Sequence, residues 1–325
     1  MLGNSWFKKE KPLLGLLGLG GGVGSNLVGG GDDGAITASG GDLNAETTPD
    51  GNTYHVFYNP GTLTVSGAGQ CDILFVGGGA SGRGGHGPGG AGGQVVLQES
   101  KSLAAATYPI SIGGGGAASP PNGINAGGNT TGFTHTAYGA GSDPATPPNI
   151  PGPYQPWAVS QWGPGPEYGT INAPAFGSPG PSAGVGAAGG GGSPSAEYRP
   201  GGNGRQVPAD FLPTNAPANL VSALGSTSTP SPGWRYFGGG GGQGGGNGYE
   251  TSQGGNGGLG GGGGAGTGPG GPGGVPGYGS SPAPSLGDAG QDRRGGGGGG
   301  GGIGDCGTTY CPAKKGGDGV VIIKY

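Results

Sequence analysis

Runs of glycine constrain this chain more than any other feature. Glycine supplies 96 of 325 residues and is concentrated in blocks at 77–93, 113–116, 189–192, 238–248, 254–274 and 295–302. Such a block builds neither an apolar core nor a stable helix interior. It has no side chain to bury and loses the most backbone freedom on ordering. It is therefore either disordered or held by its own N–H and C=O groups, paired between segments. The charge content decides for order. Only 9% of residues are charged and the formal net charge is -4, so little self-repulsion expands the chain. The apolar fraction of 30% fills a small core drawn from about 100 residues, not one large core.

Short strand patterns punctuate the blocks. Residues 54–58 (YHVFY) lead through Asn59-Pro60-Gly61 into the alternating 62–66 (TLTVS), which reads as a hairpin with Leu63 and Val65 inward. Residues 71–76 (CDILFV) form a nearly continuous apolar run, the mark of a buried strand. Residues 94–98 and 108–112 read as two more strands, Pro109 placing the second at an edge, with a weaker one at 133–138. Strand signals then stop until the closing 320–325 (VVIIKY), whose natural partner is the early sheet. The organisation expected is an N-terminal arm at 1–50, a β-sandwich base from 51–142 plus 317–325, and a glycine-rich excursion at 143–316.

Within the blocks, non-glycine residues recur three apart: Arg83 and His86, Asn256 and Leu259, then Pro269, Pro272 and Val275. Three residues per turn is the period of the extended left-handed helix, which makes no internal hydrogen bonds. Bundled glycine helices approach closely enough to bond laterally, with any Cβ relegated to the rim. The fold class expected is all-β plus polyglycine II. A small antiparallel sandwich is closed by the C-terminal strand, and a long glycine-rich insertion forms a bundle, with little or no α-helix.

The segments CDILFVGGGASG, GGAGGQVVLQES, YPISIGGGG, GGNTTGFTHTAYGAG and the ending GGDGVVIIKY resemble the glycine-rich domain of bacteriophage tail-fibre and virion proteins of marine and cyanophage type. The similarity covers about residues 53–142 and 316–325. The alternation of glycine blocks with irregular segments is similar in style to T-even-type fibre-tip adhesins. In those, stacked polyglycine II helices carry receptor-binding loops. The opening KKEKPLLGLLGLGGGVGSN resembles the start of other virion proteins of such phages.

The resemblance implies that the arm docks to the particle, with Trp6, Phe7, Leu13, Leu14, Leu16 and Leu17 as docking residues. The arm also looks superficially like a signal peptide, but its apolar run is short, broken by glycine and without a small-x-small cleavage site. It is too short for membrane insertion. In the excursion, Tyr154, Trp157, Trp162, Tyr168, Trp234 and Tyr236 are candidate receptor contacts, since Tyr and Trp offer large rigid surface with a polar handle. Phe176 and Phe237 belong to the same aromatic set. Capping of glycine-helix ends is the competing role for these rings.

Catalytic signals are lacking. Residues 77–82 satisfy G-x-G-x-x-G after a strand, but RGGHGPG follows in place of the helix that a dinucleotide site requires. His55, His86 and His135 are too dispersed for a metal site or triad, and no cofactor is expected. A sequence pI near 5.3 without a basic stripe argues against nucleic acid. Cys306 and Cys311 are five apart and either pair as a disulfide or stay free, while Cys71 reads as a small core residue. The function expected is a virion appendage, a tail fibre or fibre-tip adhesin, rather than an enzyme. It would be exposed to the medium within a homo- or hetero-oligomeric assembly. Its partners would be other virion proteins and a host receptor or glycan. The alternative is a capsid decoration or fibre-shaft protein without a receptor.

Overall fold

The structure, a computed structural model, describes residues 36–84, 87–118, 124–141, 182–184, 201–225, 234–242, 244, 254–266, 287–302 and 311–325. The chain divides into units at 1–33 and 34–325. The first unit, with Trp6, Phe7 and the four leucines, lies outside the described residues.

The second unit is built on two antiparallel sheets. One runs β1 (Thr37–Ser39), β4 (Gly61–Gly67), β7 (Ala106–Ser111), β8 (Thr130–Gly132), β9 (His135–Ala137) in spatial order. The other runs β10 (Ser182–Gly184), β6 (Val95–Leu103), β5 (Gly69–Val76), β13 (Val320–Lys324), β3 (Thr53–Phe57), β2 (Leu43–Thr47). The all-β expectation holds, and the C-terminal strand closes the sheet as expected. It pairs with β5 on one side and β3 on the other, Ile322 opposite Leu74 and Val56. Burial on both faces explains the unbroken apolar run of β13. Its odd positions, Val321 and Ile323, join Phe57, Ile73, Phe75, Leu63, Val65 and Ile110 between the sheets. Its even positions, Val320 and Ile322, face a second cluster on the far side.

That far side is covered by an insertion the sequence did not announce. Residues 205–237 carry β11 (Arg205–Gln206), α1 (Ala218–Ala223) and β12 (Tyr236–Phe237). Val207, Phe211, Leu212, Leu220, Leu224, Trp234 and Phe237 pack on Tyr54, Val56, Leu74, Val95 and Leu97. The helix has no side-chain N-cap. Its C-terminal end is held from a distance: Arg293 Nη1 donates to the Ser222 and Ala223 carbonyls, Arg294 Nε to Leu224 and Gln291 Nε2 to Gly225. Cations at the last carbonyls suit the helix dipole.

Three expectations change. The residues around Asn59-Pro60-Gly61 do not make a hairpin, because β3 pairs with β2 and β13 while β4 pairs with β1 and β7. The turn is an arch from one sheet to the other. Pro109 lies in a central strand, not an edge. Its missing N–H is tolerated because pairing with β8 stops at Ile110. Strands also begin before residue 51: β1 and β2 bring residues 37–47 into the sandwich.

Candidate functional site, a hydrogen-bonded glycine lattice

Strands of both sheets run straight into glycine segments. β5 continues as 77–83, 87–94 leads into β6, and 311–319 leads into β13. From the other sheet, β7 continues as 113–117, 124–129 leads into β8, and β9 continues as 138–141. Adjacent strands remain adjacent as glycine segments. Gly77 N–H donates to Gln94 O at 2.9 Å and Gly79 N–H to Gly317 O at 2.9 Å. In the other layer Gly128 N–H donates to Gly114 O at 2.7 Å and Gly127 N–H to Ala140 O at 2.9 Å.

The two layers also bond to each other, which β-sheets cannot do. Gly78 N–H donates to Gly128 O at 3.0 Å, Ala140 N–H to Gly78 O at 2.9 Å and Gly116 N–H to Gly79 O at 2.8 Å. Packed sheets stand about 10 Å apart because side chains fill the gap. Without side chains the layers close to hydrogen-bonding distance.

The bonding repeats with a period of three. Along 77–83, successive amides turn to three different neighbours and then begin again. Gly77, Ala80 and Arg83 donate to Gln94, Ala91 and Pro88. Gly78 and Ser81 donate to Gly128 and Asn125, and Gly79 and Gly82 to Gly317 and Lys314. Residues 295–302 show the same order: Gly297 and Gly300 donate to Gly239 and Gly242, and Gly298 and Gly301 to Ala80 and Arg83. Their carbonyls receive Gly90, Gly263, Gly266, Lys314 and Gly317, and Gly299 N–H reaches Asp288 O. Residues 295–302 are thus bonded to segments 80–83, 87–94, 239–244, 261–266, 287–291 and 311–319, a hexagonal surround. Positive φ among these segments is confined to ends such as Gly238 and Gly295, so the interiors keep the negative φ of one helical hand. A threefold extended helix with lateral amide bonds is polyglycine II.

Sterics show why the residue must be glycine. A methyl on Gly79 would stand 2.1 Å from Gly296 O, and one on Gly316 2.0 Å from Gly79 O. The expectation that every Cβ lies on the rim is nonetheless too strict. Ala80, Ala91 and Ala140 are buried together against Ile124, an apolar seam inside the lattice. Ser81 is buried beside it, its Oγ accepting the Asn125 amide at 2.8 Å. The lattice also reaches beyond the excursion, since 77–83, 87–94, 113–117 and 124–129 belong to it.

Register places described segment ends at both ends of the lattice. Tight turns at 259–261 and 292–295 and the covering insertion 205–237 sit at the sandwich end. At the opposite end, Arg83 pairs with Gly301, Gly244 with Gly87, Gly266 with Gly300, Ala265 with Gly255 and Gly201 with Asn256. Described segment ends at Arg83, Gly244, Gly255, Gly266 and Gly301 therefore meet at this end, while β10, between Gly141 and Gly201 in sequence, pairs with β6 in the sandwich.

Among the candidate receptor contacts, Tyr154, Trp157, Trp162 and Tyr168 lie outside the described residues. Trp234 does not suit that role. It is 4% exposed, in the core beneath the insertion. Tyr236 is half-buried on the β11–β12 ribbon, its hydroxyl 3.2 Å from Gln206 Oε1. Cys71 is a free buried thiol, and Cys311 is buried and disulfide-bonded. Cys306 lies outside the described residues. Among the described residues no group of three His, Cys, Asp or Glu side chains is placed to hold a metal ion. None of their helices is long and apolar enough to cross a membrane.

Residues 57–325 match the family profile of the glycine-rich domain. The chain belongs to the glycine-rich domain family. No curated protein matches it. The matched range takes in β4 to β13 and the whole described lattice, so this glycine-rich domain is sandwich and lattice together rather than the glycine blocks alone.

Proposed function

We propose that this glycine-rich domain is a bacteriophage virion appendage protein, a tail fibre or fibre tip, that displays loops for host-surface recognition on a rigid polyglycine scaffold. The observation that supports it is the meeting of described segment ends, Arg83, Gly244, Gly266 and Gly301 among them, at the lattice end away from the sandwich. Loops rooted in a cross-bonded lattice spend less binding energy on ordering. Residues 142–181, with Tyr154, Trp157, Trp162 and Tyr168, lie in sequence between lattice residue Ala140 and sandwich strand β10, and in this reading they carry the contacts. The sequence that precedes β1 supplies the dock to other virion proteins in this reading.

Phage carrying Trp157→Ala and Trp162→Ala test it. Adsorption to host cells should fall about tenfold or more, as for loss of anchoring aromatics, with particle yield unchanged. Unaltered adsorption removes the receptor role and leaves the decoration or shaft reading. Deleting residues 1–30 should strip the protein from particles; retention refutes the docking role.

A further inference from the structure

His55 is fully buried, the only described histidine that is. It lies on β3 with its ring on the inter-sheet side, in register with Phe57. Its Nδ1 is 2.7 Å from Gly40 O and its Nε2 3.0 Å from the Tyr325 hydroxyl. A carbonyl only accepts, so Nδ1 carries the proton and neutral Nε2 accepts from the phenol. The Tyr325 ring stacks on the imidazole at 5.7 Å, and Ala38 of β1 packs against the same inter-sheet cluster.

The His55–Tyr325 pair thus ties together the corner between β1 and β2 through Gly40, β3, and the residue after β13, with Ala38 of β1 packed on the same cluster. Gly40 has φ +123°, and a methyl there would stand 2.2 Å from Thr62 O, so the corner admits no other residue. The groups acting on His55 are its burial and the Gly40 carbonyl. The titratable neighbours are the Tyr325 phenol and, acting on that phenol, the Cys71 thiol. Among the described residues no side-chain carboxylate acts on His55 to neutralise an imidazolium.

We propose that neutral His55 is an acid-operated latch holding β1 and the Gly40 corner onto the sandwich, released when the ring takes up a second proton. Protonation turns Nε2 into a donor. Nε2–H then faces the phenol O–H donor to donor, and for Nε2–H to bond the phenol oxygen the O–H must turn away and lose its acceptor. The sandwich gains an unpaired interior charge. The sign follows from burial, which lowers the affinity of His55 for a proton below its ordinary value near 6.5. The open corner binds that proton more readily, so acid favours opening. The latch is complete above about pH 6.5 and weakens as pH falls through the lower value of the closed form. Opening gains at most tenfold per pH unit in that window. The lattice is spared, because its bonds are between main-chain amides. This latch is independent of host recognition.

Hydrogen exchange followed by mass spectrometry on the full chain, at pH 7.5 and 5 with intrinsic rates corrected, tests it. Peptides covering 36–47 should lose protection at pH 5, while those covering 77–83 and 295–302 keep theirs. His55→Gln, neutral at both pH values, should abolish the difference, and His135→Gln should preserve it. Persistence of acid opening in His55→Gln overturns the proposal, as does opening that vanishes in His135→Gln or spreads equally over the lattice. Should His55→Gln fail to fold, an NMR titration of the wild-type ring decides. A His55 midpoint coincident with opening of 36–47 supports the latch; opening while His55 is still neutral refutes it.

Discussion

A single methyl group placed inside the lattice measures how much of the fold rests on amide bonds. Gly297 donates to Gly239 O at 2.8 Å and accepts from Gly263 N at 2.9 Å. A Cβ built on it would stand 1.9 Å from Gly90 O, 2.5 Å from Gly90 C and 3.0 Å from Ala91 C. Ordinary van der Waals contact begins near 3.4 Å, so residues 87–94 must retreat by about 1.5 Å. That movement strains Gly90 N–H to Gly298 O, Gly93 N–H to Gly295 O and Gly241 N–H to Gly90 O, each 2.8 Å long. A buried polar group left without its partner costs about 1–3 kcal/mol. Gly297→Ala should therefore lower stability by about 3 kcal/mol or more, a large part of a typical domain's total. Gly114→Ala is the matched control. Gly114 is exposed, and its Cβ would find only Asp318 Oδ1, at 3.9 Å. Fewer unfolded conformations should make that variant neutral or more stable by about 0.5 kcal/mol. Urea unfolding of both gives the comparison. If Gly297→Ala falls within about 1 kcal/mol of Gly114→Ala, lateral amide bonding does not hold this part of the chain.

Arg294 is 2% exposed, bonded to the Leu224, Trp234 and Tyr236 carbonyls, with its guanidinium 4.8 Å from the Phe237 ring centre. Arg294→Ala should cost about 3–5 kcal/mol and expose 205–237 to limited proteolysis before the sandwich is cut. Burial pushes the Cys71 thiol up to about 12. It should resist a thiolate-specific reagent at pH 8 and react only at the unfolding rate; rapid labelling of the native chain contradicts its placement. Asp42 accepts from Tyr58 N, Asn59 N and Asn59 Nδ2 at 2.7–2.9 Å, holding the arch between the sheets. Asp42→Ala should lose about 1–2 kcal/mol by urea unfolding.

Patterns carried by one element were legible in the sequence. The run 320–324 announced a strand buried on both faces. The threefold spacing of Asn256 and Leu259 recurs in the lattice, where both carbonyls accept from segment 201–204. His86, Pro269, Pro272 and Val275 lie outside the described residues. Pairings were harder. Asn59-Pro60-Gly61 signals a reversal, and the alternation on each side signals strands, but neither says whether the strands pair or separate into two sheets. Only β13 entering beside β3 decides it. The helix α1 escaped notice because six residues carry little periodicity and its end is held by Gln291 and Arg293, some 70 positions away. Trp234 looked like a surface ring because Pro, Ser and Gly precede it in the sequence. The apolar residues that bury it lie in distant strands.

Glycine order on this scale needs a template, and the sandwich supplies one. Each lateral bond contributes about 1 kcal/mol net, against about 1–2 kcal/mol for fixing a residue's backbone, and more for glycine. Free segments searching for one another would also bear the closure cost of every connection. Here β5, β6 and β13 are placed side by side by the apolar residues of both faces, and they deliver 77–83, 87–94 and 311–319 already adjacent and in register. The facing sheet delivers 113–117, 124–129 and 138–141 in the same way. Residues 295–302 then enter a trough lined by Ala80, Gly90 and Gly317, where bonding partners are already fixed. The apolar residues of the sandwich therefore order far more chain than they touch, and a small core suffices for a long glycine-rich sequence.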